Sequence, residues 1–162
     1  MNPDETQRRL KSTDRLVIVS SEITATVSNR VGFHSQDIRF LHFANDDIDL
    51  SGLVNSNRAD SSKGIHFLFP KSIKTGSYTP TAPDYPFETL CYFENGANAG
   101  NSRSFTYNAA SGIVDVEVKS NTDDLLSYVI DFDVTGENPS TGSLGIKGKA
   151  TFIILMVAPT AK

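Results

Sequence analysis

The chain has no tryptophan, one cysteine and only two methionines. A single cysteine excludes an intramolecular disulfide, and with it the small secreted scaffolds that bridges hold together. Cys91 lies in the apolar run Phe87 to Phe93 with no basic residue nearby. A buried core thiol is the expectation there, because a catalytic thiolate needs an electropositive, accessible setting. The missing tryptophan weakens any case for a sugar-stacking platform.

Charge of one sign is missing too. The formal net charge is -4, from 15 Lys and Arg against 19 Asp and Glu. The one basic cluster, Arg8, Arg9, Lys11 and Arg15, has Asp4, Glu5 and Asp14 mixed into it. Binding nucleic acid through its phosphates needs unbroken basic clusters, so no nucleic-acid partner is expected. Long hydrophobic runs are absent. The longest, Phe152 to Ala158, is too short to span a bilayer, and the first fifteen residues lack the apolar centre of a signal peptide. No membrane span is expected. The location stays open between the cytoplasm and export by a route without a signal peptide.

Helical periodicity is the last absence. No long stretch repeats its apolar residues every three to four positions, while Phe (10 residues), Ser, Thr, Asn and Gly are plentiful. What is there instead alternates. Val17, Val19, Ser21, Ile23, Ala25 and Val27 share one face, with a bend near Ser20 and Ser21. Ile38, Phe40 and His42 oppose Arg39 and Leu41, and both faces are partly apolar, which suggests a central or interface strand. A turn and short strand follow over 46–53, then an exposed loop over 54–63. Ile65, Phe67 and Phe69 line a strand that Pro70 ends. Val114, Val116 and Val118 point inward, and a hairpin turn is expected around 108–112.

The clearest pair comes last. Leu126, Tyr128, Ile130, Phe132 and Val134 alternate with Ser127, Val129, Asp131 and Asp133, and Leu144, Ile146, Ala150, Phe152, Ile154 and Met156 line one face. The turn-rich segment 135–142 joins them into a long antiparallel hairpin. Residues 152–157 are apolar on both faces and need cover from another strand, the arm or a partner chain. Gly145 and Gly148 inside this strand mark a bulge or a close backbone approach.

The expected fold is all-β: an antiparallel β-sandwich, jelly-roll or immunoglobulin-like, of eight or nine strands. It forms a single domain over 15–162, preceded by a polar N-terminal arm over 1–14.

Function is far less legible. There is no Gly-x-Ser-x-Gly elbow and no glycine loop leading into a helix. No cofactor and no catalytic residue is assigned. His42 and His66, with Cys91 as a third ligand, make a weak metal candidate or an enzyme site with Asp. The carboxylates Asp46, Asp47 and Asp49 raise calcium without matching a calcium loop.

Two segments carry the binding expectation. One is the Pro/Tyr stretch 71–86, holding Tyr78, Asp84 and Tyr85. The other is the Gly/Asn stretch 95–101, holding Asn95, Asn98 and Asn101. These six are the candidate ligand-binding residues. The expectation is a non-catalytic binding or assembly module whose partner is a protein, a glycan or a second copy of the chain. A subunit of a larger assembly or a secreted effector is the alternative, and a metal-dependent hydrolase a weaker one.

Overall fold

The computed structural model describes residues 15–58, 60–98 and 101–157. The arm expected over 1–14 lies outside them. Among the described residues there are eleven strands and no helix. They are β1 (Leu16–Val19), β2 (Glu22–Val27), β3 (Phe33–Ser35), β4 (Asp37–His42), β5 (Asp47–Val54), β6 (Lys63–Pro70), β7 (Gly76–Tyr78), β8 (Thr89–Asn98), β9 (Asn101–Asn121), β10 (Leu125–Asn138) and β11 (Gly142–Val157).

Every pairing is antiparallel, and the order is β3-β2-β11-β10-β9-β8-β6-β5-β4. The two ends of that path are one stretch of chain, because only Gln36 separates β3 from β4. The sheet therefore curls round into a nearly closed up-and-down barrel rather than the expected sandwich. Ser35 pins the closure: its hydroxyl donates to the Leu53 carbonyl at 2.6 Å, tying β3 to β5. A barrel follows from strand length. β9, β10 and β11 run for 21, 14 and 16 residues. Strands of that length twist and coil too strongly for a flat layer, and curling round satisfies their edges.

The alternation in sequence becomes inside and outside. Val17, Ile23, Ala25 and Val27 face in, and β1 and β2 keep one register against β11, from Leu16 opposite Val157 to Val27 opposite Ile146. The expected final hairpin forms, with Leu126 opposite Ile154 and Val134 opposite Ile146. Its turn is tighter than expected, because both strands extend to Asn138 and Gly142. Phe67 fills the centre, with its ring 5.7 Å from Phe132 and 5.5 Å from Phe152 across the barrel. The interior is packed with side chains, as in small barrels.

Three local expectations change. No turn interrupts 108–112: β9 runs through it, and Gly112 absorbs the irregularity at φ 113° beside a register shift against β10. The stretch 95–98 is strand, not loop. β4 is not central, since among the described residues it pairs only β5 and leaves Leu41 43% exposed. Gly148 behaves as anticipated. A side chain there would strike the Thr24 carbonyl oxygen and come within 2.6 Å of the Ala25 methyl, so β11 and β2 approach closely at that point.

Candidate functional site

The six residues singled out from sequence fall into two groups. Tyr78 lies on β7 beside Val114, and its hydroxyl donates to the Lys74 carbonyl at 2.7 Å. Asp84 is exposed, and Tyr85 is half-buried with its ring 5.4 Å from that of Phe87. Burial raises the Tyr85 hydroxyl pKa. These three precede β8. Asn95 lies within β8 and donates to the Ser62 hydroxyl at 2.6 Å, while Asn98 and Asn101 pair through their backbones at its far end. A ten-residue strand spans about 30 Å. The two segments therefore flank the length of β8 and do not meet at one end.

The metal expectations dissolve into separate pairs. His42 faces the interior end and meets Asp46 at 2.8 Å, whereas His66 faces outward. The parity of the register puts the two histidines on opposite faces of the sheet, because His42 opposes Ile48 while His66 opposes Ser51. Asp46, Asp47 and Asp49 each turn to a different neighbour: His42, Asn45 and His66. Among the described residues, no group of three or more His, Cys, Asp or Glu side chains is arranged to hold a metal ion.

The outer face of β11 carries the feature of most interest. Between 147 and 151 it is polar: Lys147 stands opposite Asp133 and Thr26, and Lys149 opposite Asp131 and Thr24. These residues border a shallow cleft of about 760 Å³. With Lys147 and Asp133 both about 70% exposed (72% and 69%), this is a solvated ladder. Two residues on, the same face turns oily. Ile153, Leu155 and Val157 are 40%, 40% and 39% exposed.

The change of character coincides with a change of neighbour. Up to Thr151 the flanking strand is β2, and from Ile154 it is β1. β1 adds Leu16 opposite Val157 and Ile18 opposite Leu155, at 64% and 46% exposure. Leu125 joins from β10, opposite Leu155 on the other side. Expected cover for 152–157 therefore comes edge-on from β1, while the outer face stays open among the described residues.

The strand beside this patch is open along one edge as well. Among the described residues, β1 pairs β11 alone and β4 pairs β5 alone. The barrel is thus pinned shut at Ser35 and unzipped between β1 and β4. The free edge reads Leu-Val-Ile-Val, with no charge and no proline. Natural edges normally carry such blockers, because unpaired N–H and C=O groups template pairing with another strand. Sequence reasoning noted the two-faced apolar run but could not find the edge, which exists only once the strand order is known.

Compared with known proteins, the chain matches no family model, no curated sequence and no solved structure.

Proposed function

We propose that this protein is a non-catalytic assembly module that pairs with a second copy of itself through the β1 edge and the apolar face beside it. One observation carries the reading: five large aliphatic side chains on two adjacent strands, 39–64% exposed, border an unblocked strand edge. Monomers rarely expose contiguous apolar patches beyond a few hundred Å².

A second copy is the occupant because the surface complements itself. Two β1 strands related by a two-fold axis run antiparallel. Each free backbone group then meets its counterpart, and Leu16 and Ile18 of both copies share one face. Edge pairing sets the two patches side by side on one continuous face, so the contact lies below the roughly 1,200 Å² at which specific interfaces begin. Association in the micromolar range is expected.

Sedimentation velocity over a wide concentration range tests this. The parent chain should show a concentration-dependent dimer. Ile18→Glu and Leu155→Lys, placed on different strands, should each shift it to monomer. Val31→Lys, an exposed valine in the turn after β2, beyond the Val27–Ile146 pair and so at the far end of β11 from the patch, should leave it unchanged. A strict monomer at the highest soluble concentration, or equal dimerisation of parent and Ile18→Glu, would sink the proposal.

A further inference from the structure

The outer face of β5, β6 and β8 brings together three groups that the barrel itself does not use. The register sets His66 of β6 directly opposite Cys91 of β8. On the other side of His66, Nε2 lies 2.9 Å from Asp49 Oδ1 of β5. That contact is an ion pair rather than a directed hydrogen bond, since no acceptor lies along the Nε2–H direction. Carboxylate, imidazole and thiol thus form a row across three neighbouring strands.

The row is sheltered but not sealed. Cys91 is 6% exposed, while the side chains of Asp49 and His66 are 18% and 26% exposed. Cys91 stands apart from the main core cluster, which holds Leu90 and Tyr92 on the inner face instead. The groups facing His66 are Asp49 and Ser51 from β5 and Cys91 from β8, with Arg39 one strand further, opposite Ser51. Burial works to lower the imidazole pKa. Asp49 and then Cys91 outweigh it and hold the pKa at about 9. The imidazole is therefore cationic at neutral pH, beside a sulfur.

We propose that Cys91, His66 and Asp49 form a thiol-exchange site, in which His66, set opposite Cys91 across the sheet and held by Asp49, favours attack of the Cys91 sulfur on small disulfides. The Cys91 sulfur forms a bond to one sulfur of the disulfide, and the original S–S bond breaks. The Cys91 proton leaves to solvent, and the departing thiolate takes the proton of the His66 imidazolium, which solvent then restores. The net change converts one thiol and one disulfide into a mixed disulfide on Cys91 and one free small thiol, with the small disulfide as oxidant. Asp49 acts as a positioning residue that keeps the imidazole charged.

The test uses the folded chain and dithiobis(nitrobenzoate), an aromatic disulfide whose released thiol is coloured. With one cysteine in the chain, every equivalent released reports on Cys91. An ordinary thiol, with a pKa of about 8.5, slows steeply below neutral pH. The parent chain should release one equivalent without denaturant and keep most of its neutral-pH rate in mild acid. His66→Gln should lose that plateau and react roughly tenfold more slowly in mild acid. Asp49→Asn, which keeps the shape, should slow the reaction at least about threefold there, with far-UV circular dichroism confirming the fold. A Cys91 that reacts only after unfolding would overturn the proposal. So would a parent rate that falls with pH as for a free thiol, or an Asp49→Asn rate equal to the parent's.

Discussion

The Ser35 hydroxyl and the Leu53 carbonyl, 2.6 Å apart, join the two ends of the sheet. Ser35 is the one buried polar residue among those described, at 3% exposure, so its hydrogen bond forms where water cannot substitute. Ser35→Ala removes the donor and leaves the Leu53 carbonyl without it. A loss of about 1–2 kcal/mol in urea unfolding is expected. Hydrogen exchange should rise in β3 and β5 before it rises in β10 and β11. Uniform exchange across all four strands would show that the bond does not hold the closure.

Arg30 and Glu94 bind across one end of the barrel. The guanidinium Nε and Nη2 both donate to the carboxylate, the latter at 2.7 Å, and the Tyr92 hydroxyl adds a third bond at 2.8 Å. Arg30, opposed by partial burial and aided by Tyr92, holds the Glu94 carboxyl below its ordinary value. A depressed folded pKa stabilises the protein above the unfolded value, about 4.5, and that contribution fades as pH falls through the folded one. Glu94→Gln should cost about 1.5–3 kcal/mol at neutral pH. It should also flatten the acid limb of a stability-versus-pH curve. Parallel acid limbs for the two proteins would remove this bridge from the account.

His66 gives the opposite sign. Its folded pKa, about 9, stands above the unfolded value of 6.5. The stabilisation is complete below about 6.5 and is lost as pH rises through about 9. Lysines and tyrosines also titrate in alkali, so the measurement is a difference. The gap in urea midpoint between the parent and His66→Gln should be widest in mild acid and close by about pH 10. A gap that does not change with pH would mean His66 contributes by packing alone.

Gly148 allows the close passage of β11 over β2. Gly148→Ala drives a methyl into the Thr24 carbonyl and to 2.6 Å from the Ala25 methyl, and should destabilise by about 1–3 kcal/mol. Gly96→Ala is the control, because nothing lies within 4 Å of the added methyl. Equal thermal midpoints for Gly148→Ala and the parent would show that the strands part at little cost.

Much of the secondary structure was readable along the chain. The alternation at Val17 to Val27, Leu126 to Val134 and Leu144 to Met156 gave the inward faces, because a side-chain period of two has one meaning in a half-buried strand. Asn108 to Gly112 misled, since a Gly-containing turn signal and a bulge within a strand look alike locally. The candidate site was less legible. The apolar run at 152–157 was visible, yet its exposure depends on which strand lies beside it. Whether the segments of Tyr78 and Asn95 meet was open along the chain, because their spacing is set by the length of β8.

By itself, then, the chain determined that it would be mostly strand, which residues would turn inward, and that no disulfide could form within it. Those are properties of near neighbours, dictated by sterics, periodicity and composition. Only the tertiary structure decided that the strands curl into a barrel, that β1 pairs β11 alone among the described residues, and that His66 faces Cys91 rather than His42. Those facts depend on pairing between residues far apart in the chain, and a one-residue change of register would reverse every face they involve.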